Sequence, residues 1–338
     1  MTGRGPRRAS SYLLLLLLLS GCSGWQSALD VHGQSAISLK QLIVLIVAAC
    51  SLVWALVMIA LIFALWRRRE RDALPFRPDP ARERRMTIWV TSAIAASVLI
   101  IGGFTLASFI TTRALNAAGH DDLVVKIRGL QWWWDVEYLG AAPDQRFQTA
   151  NEIHIPVGRN VRFQLEGVDV IHSFWVPSLA GKQDLIPGRP NELSIRADRP
   201  GVYRGQCAEF CGMQHAHMAF FVIADEPSVF EDWLSVQRAS ALPSSDSEVL
   251  AGQQVFLSKA CAACHTIRGT SARGTTGPDL THVGGRKYIA AGLLETTRGS
   301  LAAWIADPQT LKAGNNMPMV PLNPEELRSV SAYLASLK

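Results

Sequence analysis

Cys207, Cys211, His215 and Met218 fall on one short stretch, Cys207-Ala-Glu209-Phe-Cys211-Gly-Met213-Gln-His215-Ala-His217-Met218. Two thiols stand four apart, an imidazole follows four further on, and a thioether three beyond that. Thiolate, imidazole and a weakly held thioether form the soft donor set of copper electron-transfer sites. A hard cation would call for carboxylates, and a structural zinc site rarely takes a methionine. The plainer alternative is a disulfide between Cys207 and Cys211 in an exported domain, with Met218 filling the core. A second imidazole from elsewhere separates the two readings. Val170-Ile171-His172-Ser173-Phe174-Trp175-Val176-Pro177 offers His172, bounded by apolar residues and far enough upstream to end a separate strand.

A second redox motif lies downstream. Cys261-Ala-Ala-Cys264-His265 has the spacing of covalent haem c attachment, with two thioethers to the vinyl groups and a proximal imidazole on the iron. A thioredoxin-like dithiol competes, but the adjoining His265 and the lack of a βαβ pattern disfavour it. The distal ligand is expected in a loop before the last helix, where Asn315-Asn316-Met317-Pro318-Met319 carries two thioethers. The last 90 residues resemble a small class I cytochrome c. Such cytochromes ligate through the Met of a Met-Pro pair, which implies Met317 in preference to Met319.

The stretch from Gly129 to Met218 resembles the copper-A domain of cytochrome c oxidase subunit II. The resemblance rests on Cys207-x-Glu209-x-Cys211-x3-His215-x2-Met218, on Asp169-Val-Ile-His172-Ser and on Ile186-Pro-Gly-Arg-Pro-Asn191. It implies a cupredoxin-like Greek-key β-barrel with a binuclear copper A held at one end. Both thiolates would bridge the two ions, His172 and His215 would cap one each, Met218 would be a weak axial ligand, and Glu209 would add its backbone carbonyl. The Glu209 side chain is implied to reach a magnesium ion at the boundary with the catalytic subunit; the simpler expectation is a surface carboxylate. Gly129-Leu130-Gln131-Trp132-Trp133-Trp134-Asp135-Val136-Glu137-Tyr138 resembles the family's aromatic segment, in which the residue matching Trp132 passes electrons to copper. Trp132 or Trp133 is expected to face the donor, and Trp134 to fill the core. His217 is off the family spacing and is expected at the surface or as a support to the ligands.

The elements that position these motifs follow from composition. The 338 residues allow two or three domains, and 49% are apolar. The six cysteines fall in unlike contexts and do not form a disulfide framework. Arg4, Arg7 and Arg8 precede Leu13 to Leu19 and Ser20-Gly21-Cys22, which reads as an export signal over 1–21. Leu19-Ser20-Gly21-Cys22 resembles a bacterial lipobox, implying lipidation at Cys22. A transmembrane hairpin is expected over 22–119. Its spans lie at about 41–66 and 87–112, the first about 39 Å long at roughly 1.5 Å per residue. Between them, eight arginines from Arg67 to Arg85 place the 67–86 loop in the cytoplasm. Everything after His120 is then extracytoplasmic, on the periplasmic or outer face of a bacterial inner membrane. Cys50 reads as a small buried apolar residue of the first span.

Period-two alternation, as in Leu123-Val-Val-Lys-Ile127 and Asn160-Val-Arg-Phe-Gln-Leu165, predicts short strands across a copper domain at 120–236. A polar linker at 237–247 leads to helical periods over 248–338, the cytochrome c domain. The fold class is therefore a multi-domain membrane protein: hairpin, β-barrel and all-α haem domain. Many relatives carry a glutamate before Thr-Ile-Trp for proton delivery; here Met86 precedes Thr87-Ile88-Trp89, and Glu83 stands one turn away.

Residues 121–248 carry 11 Lys and Arg against 18 Asp and Glu, net −7, whereas residues 249–338 carry 9 against 5, net +4. Opposite charge should draw the two domains together across a flexible tether of about 13 residues with a reach near 20 Å. The resemblance implies subunit II of a caa3-type cytochrome c oxidase. Electrons would come from cytochrome c or a bc1-type complex to the haem, then to copper A, then to subunit I with its haems a and a3 and further copper. Oxygen would be reduced there with proton translocation, and subunit III is a further expected partner. This chain alone would carry electrons and catalyse nothing. Nucleic acid is not an expected partner. The alternatives are the small subunit of a copper-A nitric oxide reductase and a membrane-tethered carrier with no catalytic partner.

Overall fold

The computed structural model describes residue 24 and residues 26–68, 80–116, 123–140, 142 and 145–338. The export signal, Cys22 and the segment 69–79 of the arginine-rich loop lie outside the described residues. Contacts divide the chain into Ile37–Ala117 and a second unit made of Ala118–Lys338 with Met1–Ala36.

The smaller unit is built on α1 (Gln34–Arg68) and α2 (Pro80–Asn116), of 35 and 37 residues. Each is long and apolar enough to cross a membrane. Side chains such as Trp54, Ile62, Trp89 and Leu99 are exposed, so a lipid solvent is what would cover them. The hydroxyls of Ser97, Thr105 and Thr111 each donate to a carbonyl one turn back, so these polar groups need no water. Both helices outrun their apolar cores. Pro80 suits a first helical position, and the charged run Arg82 to Arg85 continues the helix past the apolar stretch. Cys50 is exposed on α1 rather than buried.

In the larger unit ten strands form two five-stranded sheets. They are β1 (Leu123–Leu130), β2 (Trp133–Leu139), β3 (Phe147–Ala150), β4 (Glu152–Pro156), β5 (Val161–Gly167), β6 (His172–Trp175), β7 (Gln183–Leu185), β8 (Asn191–Ile195), β9 (Gly201–Cys207) and β10 (Ala219–Asp225). The strand orders are β3-β2-β1-β5-β8 and β4-β10-β9-β6-β7. β1 with β5 and β10 with β4 pair in parallel, and the other neighbours are antiparallel. Alternation sets the faces. Val161, Phe163 and Leu165 are buried while Arg162, Gln164 and Glu166 stand between them on the other face. Trp134 is fully buried at the centre, edge-on to Phe174 and Phe220 at 5.7 and 5.1 Å between rings. Residues before α1 pack here too. His32 N–H donates to Ser178 O at 2.7 Å, and the Gln26 amide donates to the Gln206 side chain at 2.8 Å.

His154 on β4 is buried, with Nδ1 2.6 Å from Asp225 and Nε2 3.3 Å from Glu152. Its ring stacks on Trp233 of α3 (Pro227–Arg238) at 4.1 Å.

The C-terminal domain is helical. α4 (Ser247–Ser258), capped by Asp246, packs on α8 (Pro324–Ser336), whose Asn323 and Glu326 form a reciprocal capping box. Between them run the single turn α5 (Cys261–Cys264), the small hairpin β11 (Tyr288–Ile289) and β12 (Leu294–Glu295), α6 (Arg298–Ala306) and α7 (Pro308–Leu311). The segment expected as a flexible tether is held instead. Arg268 Nη2 donates to Gln237 O at 2.6 Å, and Ala241 N–H donates to Arg268 O at 3.0 Å. Its polar composition gave no sign that a downstream arginine captures its carbonyls. The two domains then meet directly. Ala219 N–H donates to Ala291 O at 3.0 Å, Lys287 N–H donates to Glu152 Oε2 at 2.7 Å, and Phe221 stacks on Tyr288 at 4.2 Å.

Burial pulls the His154 pKa down, but its hydrogen bonds to Asp225 and Glu152 outweigh that and leave it raised. A raised folded pKa means that the stabilising contribution is complete below about pH 6.5, the unfolded value, and fades as pH rises through the folded one. The thermal midpoint of the intact chain should therefore exceed that of His154→Gln most at acidic pH, with the gap narrowing in alkali. A gap that stays constant from about pH 5 to about pH 9, a range that brackets histidine titration, would remove this role from His154.

Candidate metal centre and adjoining cavity

β9 ends at Cys207, and the chain loops through Cys211 and a 3-10 turn at His215–His217 before β10 begins at Ala219. Cys207 Sγ and Cys211 Sγ lie 3.8 Å apart, both buried and unbonded. His172, the first residue of β6, brings Nδ1 to 3.9 Å from Cys207 Sγ. On the other side His215 Nδ1 lies 3.6 Å and Met218 Sδ 3.8 Å from Cys211 Sγ. The Glu209 carbonyl is 3.2 Å from Cys207 Sγ. His172, Cys207 and Cys211 place their ligand atoms within 4.8 Å of one another. The disulfide alternative therefore gives way to a ring of soft donors around a small space.

Electrostatics explains what that ring needs. The neighbouring Cys211 thiol stabilises a Cys207 thiolate and, against the opposing effect of burial, helps draw its pKa down to about 4; His172 adds to this. That anion and burial then push the Cys211 thiol upward. Both sulfurs ionise together only beside positive charge, which a soft cation supplies. The donor set therefore fits copper.

The surroundings fix the donors. His172 Nε2 lies 2.8 Å from Asp169 Oδ1, which aims Nδ1 at the sulfurs. Asp169 also accepts from the backbone N–H groups of Gln131 and Val170, both at 2.7 Å. Burial would raise the Asp169 carboxyl, but these donors hold it below its ordinary value. The Cys211 carbonyl accepts from Gln131 Nε2 at 2.7 Å and from Trp132 Nε1 at 2.9 Å. Gly212 turns here with φ +111, and a Cβ would stand 3.0 Å from the Gln131 amide, so only glycine suits both demands. His217 is exposed and bonds Gln214 rather than joining the ring. The Glu209 side chain is exposed.

Trp132 is 8% exposed and forms part of a second wall. A cavity of about 480 Å³ is lined by Trp132, Trp133, Cys264, His265, Trp304 and Met317, among others. His265 Nδ1 lies 2.8 Å from Pro278 O, which leaves Nε2 as its free ligating atom. A Cβ at Gly277 would come within 2.6 Å of the His265 ring, so glycine makes room for the imidazole. Arg286, half-buried on the same wall, has a buried Nε without a partner among the described residues. An apolar cavity with an imidazole, a thioether, a thiol and one unsatisfied cationic edge fits a haem. Cys261 lies outside the lining, one helical turn back from Cys264 on α5. Met317 is on the wall, whereas Met319 is 59% exposed and off it. Both Trp132 and Trp133 line the cavity, and Trp134 fills the core as expected.

Comparison with known proteins agrees with this geometry. Residues 139–225 match the family model described as cytochrome C oxidase subunit II, periplasmic domain, and residues 249–338 match cytochrome c. Cytochrome c oxidase subunit 2 of Alkalihalophilus pseudofirmus is 36% identical over 98% of both chains. The chain belongs to the cytochrome c oxidase subunit II family. The subunit 2 of Bacillus subtilis is 30% identical over 96% of each chain. The crystal structure of the periplasmic domain of subunit II of cytochrome oxidase of Bradyrhizobium japonicum is 34% identical; the match covers 36% of this chain and 96% of that one, with a TM-score of 0.33. The subunit II chain thus combines two membrane-crossing candidates, a cupredoxin-like β-domain and a helical cytochrome c domain.

Two residues of this subunit II chain went unread in the sequence. The Asp169-x-x-His172 spacing was visible, but not that Asp169 orients the imidazole. Lys312 is 3% exposed, and its ammonium donates to Trp132 O and His217 O, each at 2.7 Å. Burial draws its pKa down to about 7, against the pull of Cys211. Nothing local in Leu311-Lys312-Ala313 signals this.

Replacing Asp169 by alanine should weaken copper retention against a competing chelator by about 10- to 100-fold, while the far-ultraviolet circular dichroism stays unchanged. Equal retention would mean that the carboxylate does not set the His172 ring.

Proposed function

We propose that this chain is the electron-accepting subunit of a caa3-type cytochrome c oxidase. The observation that carries the reading is Trp132, which donates to the Cys211 carbonyl on one side and lines the His265–Met317 cavity on the other. His172, Cys207, Glu209 (through its carbonyl), Cys211, His215 and Met218 would hold a binuclear copper A. Cys261 and Cys264 would bind haem c covalently, with His265 and Met317 on its iron. When bound, these groups supply one-electron redox chemistry.

The chain's own residues do the rest. The buried thiols and His172 keep the copper loop dry, which limits solvent rearrangement as charge changes. Asp169, Gln131 and the Trp132 indole hold the loop by its ligand and its carbonyl, so the geometry is set before any electron arrives. Trp132 and Trp133 give the path between the two sites an aromatic wall in place of water.

Donor and acceptor lie outside this chain. An upstream cytochrome c or bc1-type complex would supply electrons, and subunit I, with subunit III alongside, would receive them and reduce oxygen with proton translocation. The exposed Glu209 carboxylate suits a magnesium site at the subunit I boundary. The setting is a bacterial inner membrane with both domains outside and Cys22 as a lipid anchor. Supporting this, residues before α1 and residues after α2 pack on each other, so the chain between them crosses an even number of times. The arginine-rich loop would be cytoplasmic.

The test is purification of the tagged chain in mild detergent, followed by its visible spectrum and its gas consumption. Co-purification of a large multi-span subunit with a-type haem, consuming oxygen, is expected. Consumption of nitric oxide alone, or a lone chain consuming neither gas, would overturn the reading. In that complex Met317→Leu should abolish the thioether-to-iron charge-transfer absorption, while Met319→Leu leaves it intact. The reverse pattern would reassign the axial ligand.

A further inference from the structure

One buried lysine joins the contacts that seat the C-terminal domain on the β-domain. Lys312 follows α7, and its ammonium has three carbonyl acceptors: Trp132 O and His217 O of the copper domain at 2.7 Å, and Ala290 O of its own domain at 3.2 Å. Three donors meet three acceptors, so the ammonium is fully satisfied although hardly any of it reaches solvent. The acceptors are chosen for position. Trp132 is the wall shared by the two sites, and His217 precedes the ligand Met218.

The next residues continue the contact. Gln214 Nε2 on the copper loop donates to Ala313 O at 2.8 Å. Gly314, at φ +81, lies where a Cβ would sit 3.6 Å from both Met213 Sδ and the Trp132 ring. Asn315 Nδ2 donates back to Lys312 O at 2.7 Å, and its Oδ1 accepts from Met317 N–H at 2.8 Å. Hydrogen bonds and neighbouring residues thus run unbroken from the copper loop to the cavity methionine.

Resting on the two-site reading above, we infer that Lys312 is a positioning residue: it locks the C-terminal domain over Trp132, so the copper loop takes electrons only from its own tethered domain. The transfer it serves moves one electron, with no bond made or broken and no proton required. The C-terminal site is oxidised as the copper site is reduced, and the external one-electron carrier protein restores the former. With Trp132 only 8% exposed beneath the docked domain, a soluble donor has no face of that indole to approach.

The variant is Lys312→Met, which keeps the length of the stem and removes the donors. In the intact, cofactor-loaded complex, rapid mixing with excess reduced soluble cytochrome c follows the haem c and copper absorptions separately. Hydrogen exchange reads the interface amides of Ala219 and Lys287, which bond across it. The expected result is exchange about tenfold faster at both amides, equivalent to about 1.4 kcal/mol of docking. Internal reduction of copper should slow by about tenfold or more as its geometry loosens. A new copper phase should appear that scales with soluble donor concentration. Haem c reduction by the donor and the spectra of both centres should not change.

Faster exchange with unaltered internal transfer would reduce Lys312 to a structural role and overturn the inference, as would no change in either. An altered copper spectrum would likewise count against it, because Lys312 would then be supporting the loop itself. If Lys312→Met does not fold, Gln214→Ala removes a neighbouring contact without leaving carbonyls beside an empty cation site. The same concentration-dependent copper phase is expected from it, and its absence overturns the inference. A wild-type complex in which copper is never reduced through haem c, though the interface amides are protected, would instead overturn the two-site reading.

Discussion

Two sulfur atoms held 3.8 Å apart in a buried loop set the terms for everything around them. Ionising one thiol makes ionising the other costly in a medium of low dielectric constant, so the pair is stable as two thiolates only around a cation. That constraint gives a reason for soft donors to converge from separate parts of the chain. His172 arrives on β6 and His215 on the loop after β9, one on each side of the sulfur pair. It also explains the outer ring of Asp169, Gln131 and Trp132, which holds the imidazole and the Cys211 carbonyl where the chain alone would leave them free to turn.

The same ring carries the loop toward the second site. Because Trp132 is tied to the copper loop through its indole N–H and to Lys312 through its carbonyl, one residue records the position of both domains. The β11 hairpin strengthens the seat, with Tyr288 stacked on Phe221 and the Lys287 amide bonded to Glu152. Glu152 in turn reaches His154, so the seat is continuous with a charged cluster inside the sandwich.

Much of this was legible in the sequence where physics acts over a few residues. The helical periods expected over 248–338 appear as α4, α6 and α8, and the structure adds that side chains of Asp246, Thr297 and Asn323 cap their first turns. The soft-donor loop stood out because four such donors sit at fixed spacing, although the spacing alone also allowed a disulfide. Its second imidazole had to be sought 35 residues upstream of Cys207, where His172 stands between apolar residues at the end of a separate strand. Met317 lies on the cavity wall and Met319 stands off it, a difference of placement that their shared loop does not announce. What could not be read were contacts made by docking. Opposite net charges pointed to attraction, but they did not reveal Arg268 gripping the linker or Lys312 gripping Trp132. Neither residue carries a local pattern, since the acceptor in each case is a carbonyl that every residue type possesses.

That last property shapes how the sequence can drift. At the seat of the C-terminal domain, Lys312, Gln214, Arg268 and His282 all direct their side chains to main-chain oxygens of Trp132, His217, Ala313, Gln237 and Ala239. Apart from Glu152 and the Phe221–Tyr288 stack, this grip is indifferent to which side chains its accepting positions bear. Substitution can accumulate on the receiving side with the fit preserved, while the few gripping side chains stay under constraint. The two halves of the chain are thereby free to diverge in composition, even in net charge, without drifting apart in space.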